Sequence, residues 1–175
     1  MSHIEKITSE LRALMAGVER AQALAAAADN QAQEIALRAA GAGFVAIAAG
    51  MVRVRSAITT IQGGLGSLAA LVGDATKAAA AVPQGASPEE TIAGLMPVRS
   101  AVDGIRDAAT GTISQASEAQ QLVVAVLQGG EPGPMLQTLE SVKEILVLLV
   151  QRTSSTRQVI DAAIAEARQL GSSGE

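Results

Sequence analysis

The chain has no cysteine, no tryptophan and no tyrosine, and its one aromatic residue is Phe44. Without cysteine there is no disulfide, no thiolate metal site and no thiol nucleophile. That fits a reducing compartment. Without Trp and Tyr the chain lacks platforms for base stacking and anchors for a membrane interface. It has a single histidine, His3. One imidazole in a terminal turn, with no partner in sequence, founds neither a catalytic triad nor a zinc site and is expected to be exposed. Positive charge is in deficit as well: 13 Lys and Arg against 17 Asp and Glu leave a net charge of −4. No strong attraction to nucleic acid or anionic lipid is therefore expected.

Other absences narrow the function further. No Glu-x-x-His element exists for a di-iron bundle, and the glycines never form a strand–loop–helix phosphate cradle. Arg53 and Arg55 are two residues apart and point away from each other on a helix, so they make no basic patch. The start, "MSHIEKITSELRALM", mixes charges and has no apolar core before a cleavage site, unlike a signal peptide. The stretch from Ile35 to Val52 is mostly Ala and Gly and carries Arg38, which reads as packed helix and turn, not a membrane span. An enzyme, a cofactor, a metal, a nucleic-acid partner and a membrane partner are all unexpected.

What the chain does have is rhythm. From Ile4 to Ala39, Phe44 to Val82, Leu95 to Val126 and Met135 to Leu170, apolar or small residues recur at alternating steps of three and four. That spacing draws one narrow stripe along one face of an α-helix. No segment shows the period of two that a strand needs. Helix ends are marked too. Ser2 with Glu5, and Ser87 with Pro88 and Glu90, make capping-box starts. The stretches "GAG" (41–43), "AVPQGASP" (81–88) and "QGGEPGP" (128–134) hold the glycines and prolines that end helices and turn the chain.

The expected fold is all-α: four long antiparallel helices in a coiled-coil-like, up-down-up-down bundle. A first hairpin over 1–82 has helices at about 3–41 and 44–82. A linker at 83–87 leads to a second hairpin over 88–175, with helices at about 88–128 and 134–171. A shift of 84 residues lays Leu11, Leu14 and Val18 on Leu95, Val98 and Val102, and a shift of 91 lays Met51 and Ile58 on Val142 and Leu149. Both shifts are whole heptads, so the two hairpins read as copies of one, with "QGGEPGP" as the lengthened turn.

The first seam is rich in Ala and the second in larger residues. In particular "ILVLLV" (145–150) is apolar all round, more than one hairpin seam covers. Ile145, Leu146, Leu148 and Leu149 are the candidate interaction residues, with Leu149→Asp expected to collapse the fold. Gly63, Gly64 and Gly66 interrupt helix two. They read as close packing against the Ala-rich first helix, or as a hinge or groove for a partner helix. Thr112, Thr153 and Thr156 fall in the seams and are expected to bond to the preceding turn, with Thr112 near Thr153. Glu34–Arg38 and Arg99–Asp103 have the i,i+4 spacing of surface ion pairs.

The segments "GFVAIAAGMVRVRSAI" (43–58), "VLQGGEPGPML" (126–136) and "IDAAIAEARQLG" (160–171) resemble an uncharacterised actinobacterial family of small Ala-rich helical proteins, a domain of unknown function. The resemblance spans most of the chain and implies an actinobacterial, cytoplasmic protein, with no activity or ligand to carry over. The expected function is a non-enzymatic scaffold or protein–protein interaction module that self-associates, with a dimer favoured and a further protein partner unknown. One alternative is a secreted or toxin-associated hairpin module of an actinobacterial export system. The missing Trp and Tyr count against it. A membrane-active amphipathic protein is a weaker alternative still.

Overall fold

The computed structural model describes residues 2–128, 130 and 132–174. Four helices make up nearly all of it: α1 (His3–Gly41), α2 (Val45–Ala80), α3 (Pro88–Val126) and α4 (Gly133–Ser172). Their ends lie within two residues of those expected from the sequence. No strand occurs among the described residues.

Both capping boxes form. Ser2 Oγ accepts from the Glu5 amide at 3.2 Å, and the Glu5 carboxylate accepts from the Ser2 amide at 2.7 Å. Ser87 and Glu90 repeat the arrangement at 3.2 and 2.9 Å. Each box satisfies amides that a first helical turn leaves without partners. The backbone hydrogen bond from Ser2, then that from its side chain, hold the Glu5 carboxyl below the ordinary carboxylate range. Gly43 and Gly85 take φ of 82° and 75°, a left-handed conformation that glycine enters without steric cost. They turn the chain in "GAG" and in "AVPQGASP". In "QGGEPGP", Gly129 and Glu131 lie outside the described residues, and so does the expected lengthening of that turn. α3 continues through Pro97, which is exposed along with Ala93, so the carbonyl that Pro97 leaves unbonded faces water.

Consecutive helices pack together, α1 meets α4, and the diagonal pairs α1–α3 and α2–α4 bring no Cα atoms within 8 Å of each other. The hairpins therefore close into one bundle and do not stay splayed. The expected stripes face inward, from Ile7 to Ala39, Met51 to Val82, Leu95 to Val123 and Met135 to Ala167. Ile4, Ile35, Ile47 and Val126 pack half-buried at their ends. Two expected seam residues are instead exposed. Phe44 is 60 % accessible because it precedes the first helical residue, at φ −81° and ψ 72°, and leaves the stripe. Leu170 is exposed, one turn beyond Glu166, which His3 contacts.

Side-chain bulk follows a pattern that the hairpin-by-hairpin expectation missed. One half of the bundle holds the C-terminal parts of α1 and α3 with the N-terminal parts of α2 and α4. There α1 and α3 bury alanines (Ala21, Ala25, Ala28, Ala32; Ala116, Ala119), while α2 and α4 bury Met51, Val54, Ile58, Met135, Leu139 and Val142. In the other half the roles swap. α1 and α3 bury Ile7, Leu11, Leu14, Leu95, Val98 and Ile105 against Ala75, Ala79, Thr153, Thr156, Ala163 and Ala167. In these layers small residues of one diagonal pair accompany bulky ones of the other, which helps fill the core to the density of a folded interior, whereas Leu65, Leu68, Val72, Val123 and Ile160 are buried bulky exceptions to the alternation.

Ion pairs fix the register. Arg157 meets Asp103 at 3.1 Å and Arg99 approaches Asp161 at 2.9 Å, although the Arg99 Nε–H is not aligned for a hydrogen bond. Arg99 thus reaches across to α4 and does not pair with Asp103 on its own helix. Glu34–Arg38 likewise forms no ion pair among the described residues, whereas Arg55 and Asp29 join α2 to α1 at 3.0 Å. The hydrogen bond that Arg55 donates to the Asp29 carboxylate, and the charge of that carboxylate, raise the Arg55 pKa further.

On the α3–α4 register Thr112 is level with Leu148 and Thr153 with Asp107, so the two threonines stand more than a turn apart, not side by side. Each seam threonine does bond to the turn before it: Thr112 to Ala108 O, Thr153 to Val150 O and Thr156 to Arg152 O. The shifts of 84 and 91 carry Asp29 and Arg55 onto Ile113 and Leu146, which this register puts within a residue of level. The two hairpins thus agree in this register to within a residue.

Candidate interaction surface

With the seams accounted for, function is left to the outer faces and the ends. Among the described residues no group of three or more His, Asp or Glu stands ready to hold a metal ion. His3 is not the partnerless residue expected from its position. The Ser2–Glu5 cap fixes the first turn, and His3 Nε2 contacts the Glu166 carboxylate across the α1–α4 seam. This pair ties the chain's start to its last helix.

The apolar run of α4 divides in two. Leu146 is fully buried, and Ile145 and Leu149 are nearly so, because α1 covers them. Leu148 remains 63 % exposed and Val147 is exposed beside it. Together with α1 this run forms an open groove of about 560 Å³. Its floor is Ala13, Ala16, Gly17, Ile145 and Leu149, Leu148 stands on its wall, and Arg20 and Arg152 sit at its rim. Gly17 lets α4 come close: a Cβ there would lie 2.8 Å from Leu149 Cδ2. Sequence reasoning found the α4 half of this groove through its surplus of apolar residues. It missed Ala13, Ala16 and Gly17, because small residues at solvent-facing heptad positions look like ordinary helix surface.

The glycines of "GGLG" do not act as a unit. Only Gly64 makes a close approach, and to α3, not to the Ala-rich α1: a Cβ would lie 2.6 Å from Thr112 Oγ1. Gly63 and Gly66 are exposed, with nothing within 4 Å of an added Cβ. Their substitution therefore separates propensity from packing. Gly63→Ala and Gly66→Ala should each raise stability in urea denaturation by about 1 kcal/mol, the helix-propensity difference. Gly64→Ala should lower it, because β-branched Thr112 is stiff and bonded to its own helix and cannot move aside. Equal gains at all three positions would contradict this packing.

α2 (Val45–Ala80) is long and apolar enough, by length and composition, to cross a membrane. In this fold its seam packs against α1 and α3. No curated protein and no solved structure matches the chain. A family described as of unknown function, DUF6244, matches residues 86–172. The match begins at the cap of α3 and ends with α4, so it leaves out the segment 43–58 that carried part of the resemblance. Over its second helical hairpin, then, the chain is similar to DUF6244, a family whose function is unknown.

Proposed function

We propose that the protein is a non-enzymatic helical scaffold that self-associates as a dimer through its α1–α4 face. The observation that carries this reading is Leu148, a large apolar side chain left 63 % exposed beside a groove floored by Ala13, Ala16 and Gly17. A knob and a hole on the same face are what a two-fold interface needs, since each copy offers to its partner what it receives. Leu148 of one protomer enters the groove of the other, and the small floor residues let the helices approach as knobs-into-holes packing requires.

Size-exclusion chromatography with light scattering tests this. The wild type should run as a dimer at micromolar concentration. Leu148→Glu should run as a monomer with unchanged helical circular dichroism, because the position is exposed in the isolated chain. A wild type that stays monomeric at high micromolar concentration, or a Leu148→Glu variant that stays dimeric, would contradict the proposal.

A further inference from the structure

The two ends of the bundle differ in charge. One end carries the α1–α2 turn, the C-terminus of α3 and the N-terminus of α4. There, residues 35–52, 119–128 and 132–139 contain a single charge, Arg38. The sequence also places Glu131 in the α3–α4 connection, outside the described residues. Lys143–Glu140 sits just behind this end and Arg55–Asp29 deeper still. The remaining ion pairs between helices, His3–Glu166, Arg152–Glu10, Arg99–Asp161 and Arg157–Asp103, lie in the other half of the bundle.

The charge-poor end also exposes large apolar side chains. Leu37 on α1, Phe44 and Val45 at the turn, Val52 on α2 and Val124 on α3 are each at least half accessible. Phe44 is the only aromatic residue of the chain, and it stands at the tip beside Gly43.

We infer that this end seats in the surface of a lipid bilayer made of neutral, zwitterionic lipid. Three features favour lipid over a second copy of the chain. The exposed apolar residues are spread over α1, α2, α3 and a turn, so they do not form one flat face. A rigid partner covers one side of such an end, whereas a fluid layer covers all of them. From Phe44 to Val52 the uncharged zone is about 12 Å deep at 1.5 Å per residue. That is of the order of the ~5–10 Å to which interfacial elements enter the headgroup and acyl boundary. Arg38, the one charge within it among the described residues, has a stem long enough to keep its guanidinium among headgroups.

The neutral lipid follows from what lies behind the zone. Glu34, Glu118, Glu140 and Glu144 outnumber Arg53 and Lys143 there, so anionic headgroups gain nothing and salt has little to screen. The net charge of −4 argued against membranes only while its location was unknown.

Flotation with phosphatidylcholine vesicles tests the inference. The wild type should float with the vesicles, with or without added salt. The Phe44→Glu/Val45→Glu variant should lose at least tenfold of the bound fraction while keeping its helical signal. Leu148→Glu, altered on the other surface, should float like wild type, which keeps this inference separate from the dimer. Because the chain has no native cysteine, Phe44→Cys carrying an environment-sensitive fluorophore gives a second reading. Its emission should shift to the blue on adding vesicles, and the same label at Ser173→Cys should not respond. A wild type left at the bottom of the gradient would overturn the inference. So would binding only to anionic vesicles, or a Phe44→Glu/Val45→Glu variant that floats normally but no longer dimerises, which would make a second copy the occupant.

Discussion

Leu146→Asp should unfold the bundle at neutral pH, or cost it at least about 4 kcal/mol. Leu146 is fully buried. The change removes the ~1.5–3 kcal/mol of burying a large aliphatic side chain and puts a carboxylate at a fully buried position of the apolar core, where a charge is costly. Against a total stability of ~5–15 kcal/mol for a domain, that is most of what holds the fold.

The effect carries a pH signature. Burial raises the pKa of the new carboxyl above its unfolded value. The penalty is therefore full above the folded pKa and shrinks as pH falls through it, so this variant gains stability relative to wild type on mild acidification. Leu149→Asp, which the sequence singles out as the collapsing change, should cost less. Leu149 lines the groove that Arg20 and Arg152 also line, so a carboxylate there shares the groove with two cations. Thermal melts of the two variants at neutral and mildly acidic pH check both statements. A Leu146→Asp protein that melts like wild type would show that its layer is not in the core.

Ile58→Ala should cost about 3–5 kcal/mol in urea denaturation, the upper part of the range for such truncations. The spread in that range reflects how far neighbours collapse into the space. Ile58 sits in the half of the bundle where α1 and α3 contribute Ala25, Ala28, Ala116 and Ala119. Alanine has no rotamer with which to fill a hole, so the cavity persists. The reverse change, Ala25→Leu at the same level of α1, should overpack the layer and cost ~1–3 kcal/mol. Combined, the two changes should cost less than their sum, because the added leucine enters the space the isoleucine leaves. Strict additivity, or a loss below about 1.5 kcal/mol for Ile58→Ala alone, would mean that the layers are not complementary in volume.

The architecture was legible because a heptad stripe is a local property repeated many times. Each of Leu11, Leu65, Val102 and Leu139 follows from its neighbours three and four residues away, and the capping boxes at Ser2 and Ser87 are likewise local. What spacing along one helix cannot show is what a neighbouring helix brings. Arg99 and Asp103 have the interval of an intrahelical pair, but α4 places Asp161 and Arg157 opposite them, and both cross over. His3 lacks a partner in sequence and finds Glu166 far along the chain. Gly64 differs from Gly63 and Gly66 only in facing Thr112 of α3.

The stripe fails at its ends for the same reason. Phe44 keeps the rhythm in sequence, but it lies one residue before the helix that would have turned it inward. The candidate surface was half legible: the surplus on α4 was visible, while its small-residue floor on α1 and the uncharged end of the bundle needed the helices in place.

The account rests on closure of the bundle, with α1 lying along α4. The chain has no native cysteine, so spin labels can be placed at will. Labels at Ala16→Cys and Leu148→Cys, both on the groove, report this contact directly by pulsed electron spin resonance, in dilute samples with one doubly labelled chain among many unlabelled ones. A single narrow population at short distance, as for helices with axes about 8–10 Å apart, is the predicted result. A broad distribution of long distances would mean that the hairpins stand apart and that the groove does not exist.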